Sequence, residues 1–375
     1  MTLHGDALPD FPWDSLAGAR EVATAHPGGI VDLSVGTPVD PTPAVVQDAL
    51  RAAADRPGYP TTIGTDELRA AMVDWFGRRR GVPLTERGVL PTVGSKEAVA
   101  LVPAMLGIGA GDRVLHPAVA YPTYDVGARL AGAEPVAVDP ARPQDWPRDG
   151  VRLVWLNSPA NPHGHVLGVD QLAAAVAWAR EVGAVVVADE CYAELAWEEP
   201  WASSGVPSLL DPRVTGGDHT GLLVAYSLSK QSSMAGYRAA LLGGDEALIG
   251  RLREIRKHAG MMVPAPVQAA MAAALADDAH VDAQRARYGA RRERLLGAVS
   301  AYGLAPDPDS VAGLYLWLGR EGAQGRELVD ELAALGVLVA PGEFYGSLGE
   351  GRVRMALTAS DERVDAAVAR LTDGE

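Results

Sequence analysis

Three lysines occur in the chain, Lys96, Lys230 and Lys257, against 30 arginines. Most cations are therefore arginine, and a retained lysine is a candidate for chemistry that needs a primary amine. Lys230 lies in Ser227-Leu-Ser-Lys-Gln-Ser-Ser-Met-Ala-Gly-Tyr-Arg238. An amine placed there can form a Schiff base with a carbonyl. The hydroxyls of Ser227 and Ser229 and the planar fork of Arg238 can hold a phosphate. A reactive lysine beside a phosphate site is what pyridoxal phosphate requires. Lys257, in Arg256-Lys257-His258, reads instead as a basic helix end.

These groups need elements to position them. Leu222–Tyr226 is apolar without alternation, the pattern of a strand buried on both faces. Arg152–Leu156 reads the same way and ends in Asn157-Ser-Pro-Ala-Asn161. Ala184–Ala188 ends in Asp189-Glu-Cys-Tyr192. Open α/β sheets bind ligands beyond the carboxyl ends of their strands. Three such strands, each ending in complementary polar groups, predict a mostly parallel sheet with a site along one edge. Helices are predicted over residues 14–25, 43–54, 65–80 with Thr65 as N-cap, and 170–182. Another begins near Ser95 and Lys96 and runs to Leu106; the free N–H groups of its first turn can bind phosphate.

Other segments leave alternatives open. Ile30–Gly36 is strand-like, and Gly36 either admits a ligand to the backbone or makes a plain turn. Tyr59, in a loop, reads as packing from its spacing alone. Tyr121 and Tyr124 can stack on a planar ligand or form a rim. Gly107-Ile-Gly-Ala-Gly-Asp112 has dinucleotide-like glycine spacing, but a strand follows it where a helix is needed, so it reads as a turn. His163 and His165 lie near no further ligand-type spacing, and no metal centre is expected. The tail reads as helices, a long helix over 281–302 with its arginines solvated, and two strands, Leu314–Leu318 and Arg352–Leu357. Arg354 interrupts the second strand; a buried arginine needs an anion, either a substrate carboxylate or an internal partner.

At 375 residues, one large and one small domain are expected. The boundaries read as 1–42 for an arm with part of the small domain, 43–278 for the large domain and 279–375 for the small one. A net charge of −15 argues against nucleic acid or anionic membrane as partner. Cys191 is the single cysteine, so no intramolecular disulfide forms. The polar, proline-rich start does not read as a signal peptide, and no apolar run approaches a membrane span. A cytoplasmic location is the simple expectation.

With S-x-S-K-x(7)-R, N-P-x-G and D-x-x-Y in this order, the chain resembles the class I and II aminotransferases of the fold-type-I pyridoxal phosphate enzymes, from about Leu8 to its end. The resemblance implies an α/β fold: a large domain with a mostly parallel sheet sandwiched by helices, plus a smaller α+β domain. It implies that Lys230 carries the cofactor and shuttles a proton, with Asp189 at the ring nitrogen and Tyr192 and Asn161 at the ring oxygen. Ser95, Lys96, Ser227, Ser229 and Arg238 would hold the phosphate. Tyr121 would stack on the ring, with Tyr124 as the alternative. Arg354 would bind the substrate α-carboxylate with Gly36 alongside, and Tyr59 would reach the partner site of a homodimer. Departures are His163 in place of threonine, Ala240 in place of glycine, and the longer spacing from Pro117 to Tyr121.

Within that family the chain is similar to the bacterial N-succinyl-diaminopimelate aminotransferases of lysine biosynthesis. The matching segments include Leu8-Pro-Asp-Phe-Pro-Trp13, Gly58-Tyr-Pro-Thr-Thr62 and Ala340-Pro-Gly-Glu-Phe-Tyr345. This implies amino transfer between glutamate and a succinylated 2-oxo acid. Rival readings are an aminotransferase for another amino acid, a C–S lyase on the same fold, and a cofactor-binding regulatory module. Arg20, Arg129 and Lys96 are candidates for the distal end of the substrate.

Overall fold

The computed structural model describes residues 8–372; the first seven residues of the expected arm and the last three of the chain lie outside them. A short strand, β1 (Val31–Asp32), precedes a seven-stranded sheet. That sheet is built from β2 (Val89–Val93), β3 (Arg113–Pro117), β4 (Glu134–Val138), β5 (Val151–Asn157), β6 (Val185–Asp189), β7 (Leu222–Ser227) and β8 (Ala239–Gly244). The spatial order is β2-β8-β7-β6-β5-β3-β4. Pairing is parallel from β7 through β6, β5 and β3 to β4. Only β8 runs against its neighbours β7 and β2.

The central strands explain their own sequence pattern. Along β7, Leu222, Val224 and Tyr226 enter one core, while Leu223 and Ala225 enter the other. Val154 and Leu156 of β5 face the first core, and Leu153 and Trp155 the second. Helices cover both faces, so apart from Arg152 near the start of β5 every position of these two strands is buried and alternation is lost.

Beyond the large sheet come β9 (Ala305–Pro306), β10 (Tyr315–Gly319), β11 (Val337–Leu338), β12 (Ala340–Pro341) and β13 (Arg352–Ala356). Strands β12, β13, β10 and β9 form an antiparallel sheet in that order, and β11 pairs in parallel with β1. Their core takes in Leu16, Val31, Leu295, Leu316, Leu328, Val353 and Leu371. Residues from both ends of the chain thus share one apolar cluster.

Two expectations need correction. The strand expected over Ile30–Gly36 is only two residues long. Asp32 Oδ1 accepts from the Ser34 N–H at 2.9 Å and from its hydroxyl at 2.6 Å, a local turn that takes the chain out of the ladder. The helix Ala279–Ala301 does not carry all its arginines in solvent. Arg291 is 1% exposed and bridges Asp40 at 2.6 Å and Asp361 at 2.8 Å. A buried guanidinium held by two carboxylates is compensated; removing either partner would leave charge stranded. Among the described residues no helix is long and apolar enough to cross a membrane.

Candidate active site

The register of the large sheet aligns the groups on which the site depends. Asn157 at the end of β5 lies opposite Asp189 at the end of β6. Asp189 in turn pairs across to Ala225, two residues before Ser227 ends β7. A cavity of about 820 Å³ opens over this edge. Of the residues picked from the sequence, Gly36, Ser95, Lys96, Tyr121, Tyr124, Asn161, Asp189, Tyr192, Ser227, Ser229, Lys230, Arg238 and Arg354 all line it. Tyr59 does not; it is 97% exposed.

One end of the cavity is built for an anion. The helix Ser95–Met105 starts without any side-chain cap, leaving its first N–H groups free. Its N-cap, Gly94, has φ 77°. A Cβ there would stand 2.7 Å from Cζ of Arg238, so only glycine lets the guanidinium lie against the helix start. Arg238 itself holds a left-handed φ of 55° and donates to Ala235 O at 2.8 Å. Ser227 Oγ accepts from the Ser229 N–H at 3.1 Å and donates to Ser229 Oγ at 2.9 Å. Free helix N–H groups, two hydroxyls and an arginine fit a phosphate.

At the centre, Lys230 Nζ donates to Gly36 O at 2.5 Å. Burial pulls this amine below the usual lysine range, and the positive charges of Arg354 and Arg238 add to the effect. An amine with a lowered pKa is more often neutral and nucleophilic. Asp189 is the reverse case: burial raises its carboxyl above the usual range, opposed by hydrogen bonds from Cys191 and Tyr124. Its Oδ1 accepts from the Cys191 N–H at 3.1 Å and its Oδ2 from the Tyr124 hydroxyl at 3.0 Å. Such a desolvated carboxyl without a cationic side chain in hydrogen-bonding contact fits a protonated ring nitrogen. The neighbouring Glu190 faces the core, where it pairs with Arg80 at 2.9 Å and accepts from Ser208 and Leu209. Adjacent acids thus serve opposite sides of the chain, one the site and one the interior.

Tyr121 and Tyr124 separate in the same way. Tyr124 is 1% exposed, stacks on Trp155 at 5.3 Å and spends its hydroxyl on Asp189. Tyr121 is half-buried, with its ring edge-on to Tyr124 and Lys96 Nζ 5.8 Å from its centre. Tyr121 is the ring still free to meet a planar ligand.

At the far end Arg354 is 2% exposed. Among the described residues no carboxylate lies within 4.0 Å of it, in contrast to Arg291. It donates to Asn161 Oδ1 at 3.0 Å and Ser34 O at 2.7 Å, and its Nε has no partner. The rings of Tyr315, Tyr345 and Trp13 surround it, with centres 3.9, 4.9 and 5.8 Å from its Cζ. Cation–π contacts return about 0.5–2 kcal/mol each, against several kcal/mol for burying an ion. The balance calls for an external anion. Asn157 fixes this corner: its Nδ2 donates to Asp189 O at 2.9 Å, and its Oδ1 accepts from the Asn161 N–H at 2.7 Å.

Of the candidates for a second anion, Arg129 pairs with Asp125 at 2.6 Å and Arg20 with Asp32 at 2.8 Å. Lys96 is exposed at the rim, with no carboxylate within 4.0 Å among the described residues. Of the departures noted in the sequence, His163 and Ala240 sit outside the cavity lining, whereas Tyr121 is part of it. His163 packs on His165 with ring centres 3.9 Å apart, and Ala240 lies on β8 opposite Ser227. Several lining residues escaped the sequence reading, among them Tyr315, Cys191 and Trp13. Tyr315 stands in an apolar segment and Trp13 in a polar, proline-rich one, and the only signal was a polar tip on each aromatic ring.

Residues 29–371 match the aminotransferase class I and II family. The chain is 54% identical over 365 residues to 4-dedimethylamino-4-oxo-anhydrotetracycline transaminase of Streptomyces rimosus, covering 97% of this chain and 99% of that one. It is 56% identical over 368 residues to a probable aminotransferase of Mycobacterium tuberculosis, covering 98% and 86%. It is 32% identical to an LL-diaminopimelate aminotransferase of Dehalococcoides mccartyi, covering 92% and 91%. Among solved structures, a double mutant of Thermus thermophilus aspartate aminotransferase superposes with a TM-score of 0.88 at 25% identity, covering 100% and 99%. A phosphate cradle, a buried amine and a desolvated carboxyl on one sheet edge are thus those of a fold-type-I enzyme: the chain belongs to the class I and II aminotransferases and uses pyridoxal phosphate.

Proposed function

We propose that the chain transfers amino groups between glutamate and the 2-oxo acid of N-succinyl-LL-2,6-diaminopimelate, as a cytoplasmic succinyldiaminopimelate transaminase of lysine biosynthesis. The carrying observation is the pair of cations at different depths of one cavity. Arg354 is buried without a carboxylate, and Lys96 is exposed at the rim without one. A substrate with one carboxylate at the reacting carbon and another at its far end has a partner for each. Both glutamate and the succinylated acid have that form.

Bound in this cavity, pyridoxal phosphate supplies an electron sink for charge developing at the substrate α-carbon. The chain does the rest. The N–H groups of Ser95 and Lys96, the hydroxyls of Ser227 and Ser229 and the fork of Arg238 hold the phosphate. Asp189 keeps the ring nitrogen protonated, and Tyr192 and Asn161 reach the ring oxygen. Tyr121 covers the ring face. Lys230 holds the cofactor between turnovers and, once released, its lowered pKa suits it to take and return the α-proton. Arg354 grips the α-carboxylate, with the backbone of Gly36 alongside. Tyr59, 97% exposed, reaches the phosphate of the partner subunit in a homodimer.

A second reading has its own support. The 54% identity to the Streptomyces rimosus transaminase, together with a cavity wall of Leu8, Pro9, Phe11 and Trp13, suits amination of a polycyclic ketone. Half-reactions separate the two. Glutamate should bleach the visible band of the loaded protein, and the succinylated oxo acid should restore it. Restoration by an anhydrotetracycline ketone alone would overturn the lysine-pathway assignment.

A further inference from the structure

Tyr315 opens β10, is 5% exposed, and lines the cavity. Its hydroxyl lies 3.2 Å from the hydroxyl of Tyr192. Its ring centre lies 3.9 Å from Cζ of Arg354. It also accounts for Gly36: a Cβ at that position would stand 2.7 Å from Cε1 and Cζ of the Tyr315 ring. One side chain therefore touches the group assigned to the cofactor oxygen, the group assigned to the substrate carboxylate, and the backbone whose carbonyl accepts from Lys230.

We propose that Tyr315 is a positioning residue that donates its phenolic hydrogen to Tyr192, so that the hydrogen of Tyr192 is left to point at the cofactor ring oxygen. The inference rests on the Tyr192 assignment made above. A phenol has one hydrogen and two lone pairs, so a phenol that donates forward can accept from behind. The chain Tyr315 O–H to Tyr192 O–H to ring oxygen is polarised in one direction, and each bond strengthens the next. The groups that face Tyr315 favour it as the donor of the pair. Burial raises its pKa, but Arg354 and Lys230, with the contact to Tyr192, outweigh burial and leave it below the usual phenol range. Tyr192 is pushed the other way, by burial and by Tyr315. The other titratable neighbours are Cys191, which opposes the shift, and the phenols of Tyr345 and Tyr288. The more acidic phenol donates to the less acidic one.

The variant that isolates this is Tyr315→Phe, which keeps the ring over Arg354 and against Gly36 and removes only the hydroxyl. A donor at the ring oxygen drains negative charge from it and weakens its hold on the proton of the neighbouring lysine-bound nitrogen. Weakening that donor should raise the pH midpoint of the visible band of the loaded, substrate-free protein. Loss of one supporting hydrogen bond should move it by about half to one pH unit. Tyr192→Phe should move it further in the same direction. Tyr315→Phe on a Tyr192→Phe background should then add nothing. KM for glutamate should stay within about twofold in Tyr315→Phe, because the ring still covers Arg354.

A midpoint unchanged by Tyr315→Phe, where Tyr192→Phe shifts it, overturns the role of Tyr315 and leaves the site reading intact. Equal, additive shifts in the single and double variants overturn the relay, since each phenol would then act alone. No shift in either single variant overturns both the relay and the Tyr192 assignment.

Discussion

The two walls of the cavity are made in different ways. One is the carboxyl edge of the large sheet, where Asn157, Asp189 and Ser227 end adjacent strands and Lys230 follows within one turn. Their spacing is set by a backbone ladder packed on both faces. The other wall collects Trp13, Gly36, Tyr315 and Arg354 from segments far apart in the chain. Tyr315 and Arg354 come from the paired strands β10 and β13, and side-chain contacts tie the N-terminal segments to them. Trp13 Nε1 donates to Ser34 O at 3.3 Å, Arg354 donates to the same carbonyl, and Arg354 also crosses to Asn161. A ladder suits a cofactor that stays in place. Side-chain contacts that can be remade suit substrates that come and go. On the proposed reading, the sheet wall holds the cofactor and the remote wall holds the substrate.

Breaking each wall should give a different signature. Lys230→Ala, at the centre of the sheet wall, should lower turnover by about 10⁴-fold or more, since both the attachment and the proton shuttle are lost. The visible band of the loaded protein should vanish with it. Arg354→Ala, in the remote wall, should lower kcat/KM for glutamate by about 10²–10³-fold, the scale of a charge-assisted bond in a buried site. Cofactor affinity should stay within about twofold. Arg354→Lys should recover only part of the loss, because a point charge lacks the planar fork. Gly94→Ala should do the opposite on a smaller scale. Its φ of 77° and the clash of a new Cβ with the Arg238 guanidinium, whose Cζ would lie 2.7 Å away, should weaken cofactor binding about tenfold, measured by titrating the apoprotein, with KM for glutamate little changed.

The smallest effect is a control outside both walls. Burial, with His165 beside it, holds the His163 imidazole down to about 3. The unfolded chain takes up that proton below about 6.5, but the folded one does not until near 3. Stability should therefore fall as pH drops through this window. His163→Thr should reduce that fall by on the order of 2 kcal/mol in acid urea denaturation, while leaving cofactor and substrate binding at neutral pH unchanged.

The same contrast governs how much could be read from the sequence. The sheet wall is written locally: an apolar run with no alternation, then two or three polar residues, three times over. Such a pattern carries its own geometry, since parallel strands in register bring their ends together. Arg354 was visible because a charge in an apolar strand demands an explanation. Tyr315 was not, because an aromatic residue in an apolar segment looks like core, and it does pack there; Trp13 was not, because it stands in a polar, proline-rich arm and only packs against that core. Glu190 shows the limit from the other side. It adjoins Asp189 in sequence, yet it turns inward to Arg80; spacing alone does not separate the two acids, and the choice of Asp189 rests on the D-x-x-Y resemblance. The strand at Ile30–Gly36 was read too long, because a hydrogen bond accepted by the Asp32 side chain bends the chain where propensity favours extension.

The division into a cofactor wall and a substrate wall is tested most directly by two dissociation constants measured on one variant. Apoprotein carrying Arg354→Ala would be titrated with pyridoxal phosphate, and the loaded protein then with a non-reacting dicarboxylate such as maleate, followed by the visible band. The account expects cofactor affinity within about twofold of wild type and dicarboxylate affinity at least about 100-fold weaker. If both constants weaken together, the two walls form one unit and the division is wrong.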